Sequence, residues 1–232
     1  YVDSVHGECN RISLIEKYSS FDLKIRDMER VVSDEEELYI PLRMDEMYKV
    51  MDSDKKSSYI TESNTDFLEE TGLLKTFKYG DSLLRPYLTC KCEYDLMTGS
   101  VNSVTPFRYN LTYRNYFNVI EGNIRIKMTP PKNSRFLHEE KDYDNYEFRS
   151  LINPWNVSPI YQSDFDKFKC LEVVLNAGQL IYIPAYWWYS IEYGDKTMVS
   201  SYKYHTYMSM TSIAQHLTLA LLQSQNIKRV PY

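Results

Sequence analysis

The spacing of hydrophobic and polar residues changes partway along this chain. Over residues 1–87 the sequence is polar and charge-rich and carries only short patterns. The stretch 38–41 predicts a short strand, and Met44, Met47, Tyr48 and Met51 within 43–51 fall on one helical face. A charged turn over 52–58 and a second short helix over 66–74 follow. From residue 88 the period becomes two. Three turn-bounded runs, 88–97, 116–128 and 171–183, predict strands, and so do 187–193 and 197–204, which read as a pair turning at Gly194-Asp195. Between the second and third runs, 130–166 is rich in Pro, Asn, Asp and Lys and predicts a long irregular surface excursion of the kind that carries recognition. In 210–225, Ile213, Leu217, Ala220 and Leu221 form one stripe of an amphipathic helix, suited to packing on the β-structure or on a second copy of the chain. The predicted organisation is a single domain. An N-terminal helical and loop region over 1–87 packs on a β core over 88–205, and a C-terminal helix and tail occupy 206–232.

Composition narrows the partners. At 232 residues and 43% hydrophobic, the chain can bury one sizeable core. Its 27 Lys and Arg against 32 Asp and Glu give a net charge of −5, without the basic field that a phosphate backbone requires, so no nucleic-acid partner is expected. The longest apolar stretches, 180–183 and 217–222, fall short of the roughly 20 residues of a spanning helix, so no membrane partner is expected. Cys9, Cys90, Cys92 and Cys170, without signal-peptide features, fit reduced thiols in an intracellular, cytoplasmic protein. Cys90 and Cys92 would share a strand face, which is half a metal site, but no second Cys or His pair has matching spacing. The 22 tyrosines, with abundant Lys, Ile and Asn, suggest an AT-rich, viral source and association with a virion.

Three segments carry a resemblance. They are 103–110 (SVTPFRYN), then 115–122 (NYFNVIEG) with Arg125 and 128–131 (MTPP), then 174–189 (VLNAGQLIYIPAYWWY). In order, they resemble the "TPxHxD", "NFxxxIxGxKxxxLxPP" and "vxPGDxLYIPxxWWH" segments of the JmjC branch of the cupin superfamily, especially its small asparaginyl and lysyl hydroxylases. The third match is the specific one, since it combines a Gly turn, a buried strand, a Pro exit and a Trp pair in register. The resemblance implies a mainly β fold, the cupin-type double-stranded β-helix or jelly roll, with N-terminal helical decoration and a C-terminal amphipathic helix.

It also implies where chemistry would sit. The family holds iron(II) with two imidazoles and one carboxylate, leaving room for 2-oxoglutarate and oxygen. Here those positions resemble Arg108, Asn110 and Tyr189: a cation without a lone pair, a neutral amide, and a phenol that must lose its proton to bind metal well. Arg108 and Asn115 are seven apart where the family usually has six, and sliding by one brings in Tyr109 and Leu111, which are no better. The lysine that pairs with 2-oxoglutarate aligns with Ile124, and alternation puts Arg125 and Lys127 on the opposite face. His6, His138, His205 and His216 have no ligand spacing among them.

Arg108, Tyr189 and Tyr202 are expected to point into the barrel mouth beside Asn110, with Arg108 paired to an internal carboxylate, to the two phenols or to an anionic ligand. The functional expectation is a catalytically inactive domain without a cofactor, serving as a structural or protein-interaction component of a viral particle or complex. Its expected contact is with a protein partner or a second copy, through the C-terminal helix or the 132–166 insert. The alternatives are a protein hydroxylase or demethylase using Fe(II) and 2-oxoglutarate with rearranged ligands, and a small-anion-binding cupin.

Overall fold

Glycine at two corners explains how the period-two runs are divided. Gly122 (φ +70°) splits 116–128 into two strands and Gly178 (φ +83°) splits 171–183 likewise, because each turn needs a backbone conformation that side chains with a Cβ disfavour. The computed structural model describes residues 3–28, 39–143 and 146–224. Among these, the strands are β1 (Asp22–Asp27), β2 (Ile40–Arg43), β3 (Tyr59–Thr61), β4 (Thr89–Gly99), β5 (Arg108–Tyr109), β6 (Arg114–Glu121), β7 (Asn123–Thr129), β8 (Glu139–Asp142), β9 (Glu147–Ser150), β10 (Leu171–Asn176), β11 (Leu180–Pro184), β12 (Trp188–Tyr193) and β13 (Met198–Thr206).

They form two antiparallel sheets. The wide one has the order β11-β6-β13-β4-β3-β1-β2, the narrow one β10-β7-β12-β5-β9-β8. From β4 to β7 and from β10 to β13, each strand lies in the sheet opposite its predecessor. This is the interleaved winding of a cupin jelly roll. The pairing of 187–193 with 197–204 is corrected accordingly. β12 pairs with β7 and β5, β13 with β4 and β6, and Gly194-Asp195 is a corner between sheets.

The inner faces enclose Met97, Phe117, Val119, Ile124, Ile126, Leu175, Tyr189, Ile191 and Val199. The outer face of the wide sheet is covered by the helices Arg11–Tyr18, Met44–Ser53, Thr65–Glu70 and Leu74–Gly80. Leu14, Met44, Met47, Phe67 and Phe77 pack there against Tyr94, Leu96, Tyr202 and Tyr204. Buried Asp81 ties this layer down by accepting from the phenols of Tyr94 (2.6 Å) and Tyr204 (2.9 Å) and from Arg85 (2.7 Å). The N-terminal region is more than helical decoration, since β1, β2 and β3 extend the wide sheet. Of the strand expected over 38–41, residue 38 lies outside the described residues.

The 130–166 insert is likewise more ordered than expected. It contains a 3-10 helix (Pro131–Phe136), the hairpin β8–β9 on the edge of the narrow sheet, and the helix Pro159–Phe165. Trp188 anchors it, packing with Phe107, Leu137 and Ile152 and donating its indole N–H to Ser134 at 2.8 Å. The C-terminal helix is two, Tyr207–Ser212 and Ala214–Ser224, and residue 225 lies outside the described residues. No helix among the described residues is long and apolar enough to cross a membrane.

The corners at Gly122, Gly178 and Gly194 meet at one end. A Cβ on Gly122 would lie 2.7 Å from the Asp195 carbonyl oxygen and 2.9 Å from Thr197 Cα. Gly122→Ala is therefore expected to cost about 2 kcal/mol or more, from backbone strain and from this contact. Gly7→Ala, with nothing within 4 Å of the added carbon, should change stability by less than about 1 kcal/mol. Urea unfolding midpoints of the two variants check both values.

Candidate functional site

The opposite end of the barrel is where the inner face of the wide sheet turns polar. Outward and inward residues alternate along β13. Met198, Tyr202 and Tyr204 face the helical layer, while Val199 lies in the barrel interior, on the same strand face as Ser201, Lys203 and His205. Tyr202 is thus corrected out of the mouth. It packs against Phe77 and Tyr94 at centroid distances of 5.5 and 6.0 Å, and the β13 residue that lines the mouth is Lys203. The mouth contains a cavity of about 170 Å³ whose walls include Glu62, Asp95, Arg108, Asn110, Tyr189 and Lys203.

Arg108, on β5, lies in register with Tyr189 of β12. Its guanidinium is held by carboxylates from two other segments. Nη1 donates to Glu62 Oε1 at 2.9 Å and to Glu147 Oε1 at 3.2 Å, and Nη2 donates to Glu62 Oε2. A second guanidinium completes the cluster. Arg26 of β1 donates to Glu147 Oε1 at 3.0 Å, to Glu147 Oε2 at 3.1 Å and to Glu62 Oε1 at 3.4 Å, and the Tyr39 hydroxyl donates to Glu62 Oε1 at 3.0 Å. All four charged side chains are nearly buried, from 3% exposure for Arg26 to 11% for Arg108. Burial alone would raise the Glu62 pKa. The charge and hydrogen bonds of Arg108, with Arg26 and Tyr39, outweigh it and hold Glu62 down at about 2. Burial alone would lower the Arg108 pKa, but the charges of Glu62, Tyr189 and Glu147 and the hydrogen bond to Glu62 together outweigh it and hold the guanidinium firmly protonated.

Asn110 donates its amide N–H to the Tyr189 hydroxyl at 2.8 Å, so these two are brought together with Arg108. Asn115 is buried at 3% exposure, with neither amide atom partnered, and is the cross-strand neighbour of Lys203. Ile124 is fully buried in the barrel core. Arg125 and Lys127 lie on the outer face, Arg125 paired with Glu192 and Glu172, and Lys127 donating to the Pro154 carbonyl at 3.1 Å. The histidines contact separate regions: His6 approaches Asn118, His138 binds Asp164, His216 binds Tyr143, and His205 lies on β13. The four cysteines are unpaired.

Iron(II) and 2-oxoglutarate, the groups the resemblance implies, need neutral or anionic donors with free lone pairs. Arg108 offers none. The nearby carboxylates of Glu62 and Glu147 are engaged by two guanidiniums, and the Asn110 amide is turned to a phenol. This donor set does not fit a ferrous ion.

Sequence reading missed Glu62, Glu147, Arg26, Asp95 and Lys203. Lys203 and Asp95 were accessible through strand parity, counted from the apolar residues Val199 and Met97. Glu62 follows a three-residue strand and carries no local signal. Asp95 accepts from the backbone N–H of Ser63 and Asn64 at 2.8 Å each, and burial nevertheless raises its pKa to about 6, against the opposing charge of Lys203.

Comparison with known proteins agrees with this architecture. A family described as "Cupin-like domain" matches residues 16–210. HSPB1-associated protein 1 of Rattus norvegicus is 28% identical over 109 residues, 47% of this chain and 23% of that protein; its Homo sapiens counterpart is also 28% identical over 109 residues. JmjC domain-containing protein D of Dictyostelium discoideum is 30% identical over 103 residues, 43% of this chain and 22% of that protein. The matches thus span under a quarter of the length of these relatives. With two interleaved antiparallel sheets and a family match over most of its length, the chain belongs to the JmjC-like branch of the cupin-like domain family.

Proposed function

We propose that this domain is catalytically inactive, that the iron triad of its family has been replaced by a buried ion cluster, and that it serves as a structural or protein-interaction component of a larger assembly. The observation that carries this reading is the guanidinium of Arg108 bonded to both Glu62 and Glu147 at the place of the first ligand. A cation there repels a divalent metal. Swinging it out would leave the buried Glu62 carboxylate with only the 3.4 Å contact from Arg26 and the Tyr39 hydroxyl, at a cost of about 3 kcal/mol. The name of the HSPB1-associated relatives concerns association with another protein, which is the class of role proposed here.

The surface proposed for contact is the C-terminal helix Ala214–Ser224. Ile213 just before it is buried, yet Leu219 and Leu222, about one turn apart on the helix, are 40% and 55% exposed, an apolar face suited to a second copy of the chain. The insert offers a secondary contact at Ile160, 81% exposed. We place the assembly inside the cell or in a virion, the settings that fit free thiols and the composition.

Three outcomes are expected. Under anaerobic calorimetry the natural chain takes up neither Fe(II) nor Mn(II), whereas the combined variant Arg108→His, Asn110→Asp, Tyr189→His gains metal binding. Stoichiometric uptake by the natural chain defeats the proposal, and a folded triple variant that stays metal-free shows the ligand register to be wrong. Because the Glu62 pKa is lowered from 4.5 to about 2, its stabilising contribution is present above about pH 4.5 and is lost as pH falls toward 2. Glu62→Gln should therefore lose about 3 kcal/mol at pH 7 and show a flatter acid dependence, read from urea unfolding at several pH values. Sedimentation equilibrium should show a dimer that Leu219→Glu with Leu222→Glu converts to monomer; a monomeric natural chain contradicts the interface.

A further inference from the structure

A second cavity, of about 160 Å³, adjoins the barrel mouth, with Asn110, Tyr146, Phe148 and Lys203 in the wall they share. Three cross-strand rows of the wide sheet lead to it: Ser201 beside Asp95, then Lys203 between Asn115 and Glu93, then His205 beside Lys91. Two side chains of its lining are buried without partners. Thr112 is 5% exposed with an unbonded hydroxyl, and His205 is 5% exposed with an unbonded Nδ1. Folded proteins leave few such atoms, and two in one cavity call for a polar group between them.

The charge of the wall follows from its pairs. Lys91 is cancelled by Glu93 at 2.6 Å. Lys203 has no carboxylate within ion-pair distance among the described residues; Glu93, which feels its charge, is bonded to Lys91, and Asp95, which feels it too, lines the neighbouring cavities rather than this one. Burial lowers the pKa of His205 and favours its neutral form, although Glu93 opposes this. One positive charge is left over. Facing it, Met210, Ile213 and Leu217 supply an apolar surface.

We propose that this cavity binds a small monocarboxylate with a short apolar tail, its carboxylate on the Lys203 ammonium and the Thr112 hydroxyl and its tail against Met210, Ile213 and Leu217. His205 adds a third donor in the tautomer that carries the proton on Nδ1. A charge-assisted bond from a partly desolvated lysine supplies the orientation, and the aliphatic wall selects against bare acetate. The same head group is offered by a free acid and by the C-terminal carboxylate of a chain ending in an aliphatic residue. None of the three donors belongs to the Arg108 cluster, so the site does not depend on the loss of iron chemistry.

The test is calorimetry of the full chain with isovalerate, followed by acetate and by a short peptide ending in leucine with a free or an amidated terminus. One-site saturation by isovalerate is expected, with acetate weaker. Lys203→Met should weaken binding at least about tenfold and Thr112→Val to a smaller degree, while Lys196→Met at the closed end should have no effect. Should Lys203→Met fail to fold, Leu217→Ala provides the check, since it should erase the preference for isovalerate over acetate. Tighter binding of the free-carboxylate peptide than of isovalerate, lost on amidation, assigns a chain terminus as the source, and the reverse order assigns a free acid. The proposal is overturned if neither isovalerate nor the peptide saturates at about 10 mM, or if a folded Lys203→Met variant binds as well as the natural chain.

Discussion

A guanidinium removed from water keeps its charge, so it must be surrounded by fixed acceptors or the fold pays several kcal/mol for it. Arg108 meets that requirement with carboxylates that are far away in sequence: Glu62 follows β3, Glu147 opens β9, and Arg26 of β1 binds both. One cluster thereby joins the N-terminal strands, the barrel and the insert. In such a site the attraction between partners roughly offsets the loss of hydration, so the cluster contributes little net stability compared with an apolar plug. What it supplies is mutual dependence, since every member becomes costly to keep once another is taken away.

The winding of the chain determines what each end of the barrel can hold. Because successive core strands alternate between sheets, the corners at Gly122, Gly178 and Gly194 gather at one end, where those at Gly122 and Gly194 pack too closely to admit a Cβ. At the other end the sheets are open and the inner face carries Asp95, Lys203 and Asn115. Adjacent residues of β12 serve both sides of the narrow sheet: Trp188 faces outward to hold the insert, and Tyr189 faces inward to receive the Asn110 amide.

Much of this architecture was legible in the sequence. The segment 174–189, with its glycine corner, short strand and Trp pair, pointed to the family and placed Tyr189 beside Asn110 and Arg108. Local pattern stopped being informative where pairing was long-range. The strand β1 is too charged and β3 too short to announce itself, and the carboxylates that neutralise Arg108 come from 46 and 39 residues away, with no motif around them. Tyr202 was misplaced for a different reason. A strand with tyrosines on one face and Ser201, Lys203 and His205 on the other admits either orientation, and the helical layer, invisible to a period-two pattern, took the tyrosines.

The central claim is that a cation, and not a metal, occupies the heart of the mouth. Diffraction from crystals soaked in Mn(II), with anomalous difference maps, addresses it most directly. The account predicts the Arg108 guanidinium between Glu62 and Glu147 and no anomalous peak inside the barrel. A peak coordinated by Glu62, Glu147 or Asn110, with Arg108 displaced from them, would contradict it.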